Sequence, residues 1–309
     1  MFPEGGVMGR LKKLKGGMDL YVTEDEKLLV NSNSRNGVYV YDTDTMKQVF
    51  QTKTVSYVAQ KAVSPDKKLL AAKNTSGQMA LISLKTGEEI CRCDMAGSEG
   101  YKFTFTPDSK AVLDFDWDGR TMLLNAKGAF KILDGPKPGE KKDMVYLHYD
   151  RFSGQIYKLA TGKDGDRGHF AYTAPISSEK PDYRQIHKFT DMMPDHIMGI
   201  SFCKDHIYFP DKKQIGIVET DKSFEKTRII PIPKILLKSD ARICHVYVSP
   251  YEKYVFFYLG FSWGFMYDLT TMEPVMEFTE DVVSDFTMLH EDNTVVISTW
   301  GGTYVGDIT

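Results

Sequence analysis

The chain has 309 residues, is 42% apolar, and carries 39 basic against 42 acidic residues for a net charge of −3. That balance excludes the basic excess of a general nucleic-acid binder. No stretch holds the roughly 18 consecutive apolar residues of a membrane helix, and the opening MFPEGGVMGRLKKLKGG has no signal-like apolar core. The reading is therefore a cytoplasmic chain with no membrane partner and no cofactor.

Along the chain one short pattern recurs, in which a strand ends, a polar turn follows and an apolar strand begins. Its instances are Thr23-Glu-Asp-Glu-Lys-Leu-Leu29, Ser64-Pro-Asp-Lys-Lys-Leu-Leu70 and Thr106-Pro-Asp-Ser-Lys-Ala-Val112, then the looser Asp150-Arg-Phe-Ser-Gly-Gln-Ile156 and Cys203-Lys-Asp-His-Ile-Tyr-Phe209, then Ser249-Pro-Tyr-Glu-Lys-Tyr-Val255 and His290-Glu-Asp-Asn-Thr-Val-Val296. The mean spacing is about 44 residues, the length four strands and their turns require in a propeller blade. Proline pre-sets φ and the aspartate caps its own turn, which suits tight antiparallel connections. No segment sustains a 3.6-residue period, so almost no helix is expected.

The fold expected is all-β, a seven-bladed β-propeller of four-stranded antiparallel blades in a single domain over residues 1–309. After the seventh marker only two strands remain, near 294–299 and 303–308. The spare segment near 7–14, ahead of a first blade starting near Met18, then supplies the missing outer strand, which closes the last blade with the N-terminus.

The third strands end in Tyr41-Asp42, Tyr267-Asp268 and Gly306-Asp307, where many WD repeats carry Trp-Asp. Leu20-Tyr-Val-Thr23 through Val38-Tyr-Val-Tyr-Asp42 resembles the tyrosine-valine-threonine-asparagine repeats of bacterial propellers. The chain thus resembles a divergent WD-like propeller, and the resemblance implies a binding platform, usually for proteins. The fourth unit departs from the pattern: it lacks the Pro-Asp turn and carries Thr161-Gly-Lys-Asp-Gly-Asp-Arg-Gly168.

Candidate contacts lie in the loops joining second to third strands and in those joining blades, which share one face of such a fold. These are Phe261 and Trp263, Trp300, and Trp117 with Arg120 and Arg35 as polar partners. Exposed aromatics beside small residues make good contact anchors. The partner expected is another protein or a peptide, met by a monomer. The alternative is a hydrolase or lactonase-like enzyme with a metal in the central channel, for which Asp116, Asp118 and His245 are the available ligands. No metal-ligand histidine pair, nucleophile elbow or phosphate loop occurs locally. Alternating Asp114, Asp116 and Asp118 lack the distal Glu of a calcium loop, and Asp164 and Asp166 read as turn residues. Pro136-Lys-Pro-Gly-Glu-Lys-Lys142 reads as a solvated loop. Cys91, Cys93, Cys203 and Cys244 read as reduced thiols, with Cys91 and Cys93 on the same strand face.

Overall fold

The computed structural model describes residues 11–33, 37–94, 102–116, 119–136, 145–161, 169–177, 179–189, 199–211, 216–237, 243–259, 263–279 and 281–308. Strand β1 (Lys12–Leu14) comes first. Blade 1 follows as β2 (Gly17–Val22), β3 (Leu28–Asn33), β4 (Gly37–Asp42) and β5 (Gln48–Thr52). Blade 2 is β6 (Val58–Val63), β7 (Leu69–Asn74), β8 (Gln78–Ser83) and β9 (Glu89–Asp94). Blade 3 is β10 (Lys102–Phe105), β11 (Ala111–Phe115), β12 (Thr121–Asn125) and β13 (Phe130–Asp134). Blade 4 is β14 (Val145–Asp150), β15 (Gln155–Thr161), β16 (His169–Pro175) and β17 (Arg184–Phe189). Blade 5 is β18 (Ser201–Phe202), β19 (His206–Pro210), β20 (Gly216–Asp221) and β21 (Thr227–Pro231), and the short helix α1 (Lys234–Leu237) follows it. Blade 6 is β22 (Ile243–Val248), β23 (Tyr254–Leu259), β24 (Trp263–Asp268) and β25 (Pro274–Phe278). Blade 7 is β26 (Val283–Leu289), β27 (Thr294–Thr299) and β28 (Gly302–Asp307), with β1 as its fourth strand.

The pairing of β1 runs from Lys12 opposite Val305 to Leu14 opposite Thr303. The expected N-terminal contribution to the last blade is therefore present, and its residues 7–10 lie outside the described part. The described residues form two compact units, 19–188 and 1–18 with 189–309. The first holds almost all of blades 1 to 4, and the second blades 5 to 7 with β1.

Middle strands such as β8 and β23 are buried on both faces, so they read as continuous apolar runs rather than alternating ones. In β23, Val255 and Phe257 pack toward blade 5. Phe256 and Tyr258 pack toward blade 7. In the other unit, Leu70 and Ala72 join the blade 1 side and Ala71 the blade 3 side. Outer strands alternate instead, leaving Val49, Ile90, Ile132 and Ile229 exposed.

The turns between third and fourth strands explain the Tyr-Asp dipeptides. Asp42 Oδ1 accepts the Thr45 N–H at 2.8 Å, and Asp268 Oδ1 accepts the Thr271 N–H at 2.8 Å. Tyr41 and Tyr267 are both buried. The dipeptide is thus one packing residue followed by one turn cap. In blade 7 the pairing differs: Asp307 Oδ1 accepts the Thr294 hydroxyl at 2.7 Å.

Candidate functional site

The first-to-second-strand turns and the third-to-fourth-strand turns occupy one end of the blades, and the remaining connections the other. At that other end, in the unit of blades 5 to 7, Thr299 pairs with Gly302 and leaves Trp300 and Gly301 as a two-residue hairpin turn. Trp300 is 71% exposed, the most exposed large apolar residue among those described. The turn beneath it is braced. Trp300 N–H donates to the Val282 carbonyl at 3.2 Å. Thr299 Oγ1 accepts from the N–H groups of Gly301 and Gly302, and its hydroxyl lies 3.0 Å from Asp281 Oδ2. Asp281 Oδ1 in turn accepts the Val282 N–H at 2.7 Å. An indole held in water on a fixed backbone loses little entropy on contact with a partner.

Next to this turn, the innermost strands of blades 6 and 7 each break register once, between Ile243 and His245 and between Val283 and Asp285. Bulges of this kind re-aim side chains. Here they precede His245 and Asp285, both partly exposed. The His245 ring lies nearly parallel to Tyr247 (centroids 5.9 Å apart, 21°) and to Tyr258 (6.1 Å, 24°). Burial lowers the imidazole pKa, and the Asp285 charge opposes that shift without cancelling it. Among the described residues nothing hydrogen-bonds the imidazole. Asp285 lies opposite Ser298, two residues before Trp300.

Of the contacts expected from sequence, Trp300 lies on the exposed turn just described. Arg120 is not: its guanidinium is 5% exposed and binds Asp116 Oδ2 at 2.6 Å. The Asp116–Arg120 spacing closes the loop on itself, so Arg120 anchors that loop instead of facing a partner. The same contact corrects Asp116 as a metal ligand, because Arg120 holds both its oxygens: Oδ1 accepts the Arg120 backbone N–H at 2.9 Å. Asp114 is likewise committed, to Lys73 at 2.7 Å with both side chains fully buried. Trp117, Asp118, Phe261, Arg35, Asp164 and Asp166 lie outside the described residues, as do residues 137–142 of the basic loop. Trp263 contributes backbone to β24 opposite Leu259. No three His, Cys, Asp or Glu side chains converge into a metal site among the described residues.

The sequence reading missed Asp281, Asp285, Tyr247 and Tyr258. Their local signal is weak, since bulges and hairpin turns rather than spacing set their positions. It also missed Tyr57, 55% exposed on the connection between blades 1 and 2.

Solved structures share this architecture. The β-propeller domain of Cps50 (Swd1) from Myceliophteria thermophila matches over 97% of this chain and 100% of its own, with a TM-score of 0.71 at 10% identity. Hydrazine synthase from Kuenenia stuttgartiensis matches over 97% of this chain and 98% of its own, with a TM-score of 0.65 at 14% identity. The fold is a seven-bladed β-propeller. No family model matches the sequence, and no curated protein does. At such identities the likeness carries the propeller fold and nothing of its chemistry. At the Trp300 end the described residues present an exposed indole on a braced turn, with Asp281 beneath it.

Proposed function

We propose that the protein is a non-catalytic binding platform, a divergent WD-repeat-like propeller that captures another protein or peptide through the end of the blades that carries Trp300. The observation that carries this reading is the exposure of Trp300 on a turn whose backbone is fixed by Thr299, Asp281 and Val282. Exposed tryptophans concentrate binding energy in protein interfaces. The likeness to the Cps50 (Swd1) propeller domain supports a scaffold role at the level of architecture.

The test is affinity capture with the wild-type chain and with Trp300→Ala, followed by titration of each captured protein in purified form. A partner that binds the wild type and loses about tenfold or more in affinity to the variant supports the reading, since one buried indole contact is worth at least about 1.4 kcal/mol. Captured partners that bind both chains equally would remove Trp300 from the interface and the reading with it.

A further inference from the structure

Strand β9, the outer strand of blade 2, carries two cysteines at alternate positions. Burial alternates along it: Ile90, Arg92 and Asp94 are exposed, while Cys91 and Cys93 are half-buried. The two thiols therefore share one face of the strand. Both pack against the same apolar cluster, built from blades 2 and 3. In the register with β8, Leu81 stands opposite Cys91 and Met79 opposite Cys93, so a third sulfur belongs to that face. The turn between β12 and β13 approaches from blade 3: a side-chain carbon on Gly128 would lie 3.4 Å from Cys91 Cβ and 3.9 Å from its Sγ. Neither thiol is in a disulfide. Each donates a weak thiol hydrogen bond to a backbone carbonyl, Cys91 to Leu81 and Cys93 to Asp94 at 3.5 Å. Arg92, the cation between them, is paired with Glu89 at 2.6 Å.

The spacing limits what this pair can do. Alternate Cα atoms of a strand stand about 6.6–6.8 Å apart, at the outer reach of an unstrained disulfide. An interposed metal ion replaces one sulfur–sulfur bond of about 2.0 Å with two metal–sulfur bonds of about 2.3 Å, and so spans the wider gap. Burial raises both thiol pKa values. The thiols therefore stay protonated at neutral pH and are poor nucleophiles, whereas a thiophilic ion competes with their protons directly. Two thiolates are too few for a structural zinc site, which takes four ligands. Soft sulfur donors suit Cu(I), which a pair of thiolates satisfies. We infer that Cys91 and Cys93 together form a site for a single Cu(I) ion on the outer strand of blade 2. Binding forms two copper–sulfur bonds, releases two protons to solvent and leaves the oxidation state of the copper unchanged. Both cysteines are partly exposed, so the ion reaches them in the folded chain.

The test titrates the reduced full chain, without oxygen, into the coloured Cu(I)–bicinchoninate complex. The expected result is withdrawal of a single Cu(I) per chain. Cys91→Ser and Cys93→Ser should each weaken binding about a hundredfold or more, because the second thiolate acts at high effective concentration once the first is bound. The control Cys203→Ala with Cys244→Ala should keep the affinity of the wild type, and thermal melts confirm that each variant is folded. A second measurement needs no variant. Trypsin cuts after Arg92 and puts the two cysteines in different peptides, so mass spectrometry after iodoacetamide treatment reports each thiol separately. Copper should protect both. Failure to withdraw copper overturns the inference, as does binding that survives either single substitution, or protection of one thiol alone. Zn(II) bound as tightly as Cu(I) overturns the commitment to a soft ion held by two sulfurs.

Discussion

Asp292, in the turn of blade 7, supplies the carboxylate that caps the turn of blade 6 opened by Ser249. The Ser249 hydroxyl donates to Asp292 Oδ2 at 2.5 Å, and the Tyr251 and Lys253 N–H groups reach the same oxygen at 3.0 and 3.2 Å. In blades 1 to 3 the turn caps itself: Thr23, Ser64 and Thr106 each bond the aspartate two places on, at 2.8, 2.7 and 2.7 Å. Blade 6 has Tyr251 at that place, and its neighbour replaces the missing carboxylate. Asp292 occupies the fourth place of its own turn, with φ +64°, as do Lys67, Ser109 and Glu252 at +55°, +61° and +65°. Each of these residues reaches back to the preceding blade: Lys67 to Asp25, Ser109 to the Asp66 N–H, and Glu252 to the N–H groups of Asp205 and His206. Asp292→Ala orphans one hydroxyl and two amides and is expected to cost about 2–4 kcal/mol. Urea unfolding with an unchanged m-value checks this, and a loss under about 0.5 kcal/mol would show the cap to be dispensable.

The buried pair of Lys73 and Asp114 makes a second expectation. Desolvation pushes the Asp114 pKa up to about 6, against the pull of the Lys73 ammonium. The unfolded chain releases this proton near 3.8, so between those values the folded state holds more protons than the unfolded one. Stability from this group therefore falls as pH rises from about 4 to 6 and is flat above, a change on the order of 3 kcal/mol. The double variant Lys73→Met with Asp114→Leu should lose that slope and stay folded. Asp114→Ala alone strands a buried ammonium and should cost about 3–5 kcal/mol. Chemical denaturation across pH 4–7 separates the three, and parallel curves for wild type and double variant would refute the assignment.

Glu252 behaves in the opposite sense. Burial alone would raise its pKa, but the hydrogen bonds from His206, from the Asp205 and His206 amides and from Tyr208 outweigh it and hold the carboxyl below its usual value. A depressed carboxyl contributes stability that is present above about 4.5 and lost as pH falls through its folded value. Glu252→Gln should therefore lower stability at neutral pH and flatten the acid limb. Thermal melts from pH 3 to 7 give both quantities; an acid limb as steep as that of the wild type would count against the network.

The blade repeat was legible because its turns are local: the Ser/Thr-x-Asp spacing and the αL residue after it form a unit that any strand pair can use. The marker of blade 7 was misaligned by one place for a related reason. His290-Glu-Asp matches Thr23-Glu-Asp by letter, yet Leu289 faces Thr294 across the turn, five residues on, as Ser249 bonds Tyr254 and Ser64 bonds Leu69, which makes Leu289 the opening residue. The Trp300 turn was readable from Thr-Trp-Gly-Gly. Arg120 was misread because its partner, Asp116, is fixed by loop closure. Asp285 and His245 were out of reach, since each follows a bulge on its own strand that has no local sequence signal.

Trp300 and Gly301 are neighbours in one turn and should respond in opposite ways to alanine. Trp300 is mostly in solvent and its backbone, which makes the bond to Val282, is untouched by truncation, so Trp300→Ala should leave stability within about 0.5 kcal/mol. A methyl on Gly301 would lie 2.2 Å from Asp281 Oδ2, and that carboxylate is held by Thr299 and Val282. The methyl must displace the carboxylate and break at least one of these bonds, which should cost about 1–2 kcal/mol. Denaturant unfolding measures both variants, and hydrogen exchange at the Val282, Gly301 and Gly302 amides locates the change. Faster exchange at those amides in Gly301→Ala, with none in Trp300→Ala, would show that the indole serves contact while the turn beneath it serves rigidity. Comparable destabilisation by the two would mean that Trp300 is a folding element, and its exposure would then lose its meaning as a binding signal.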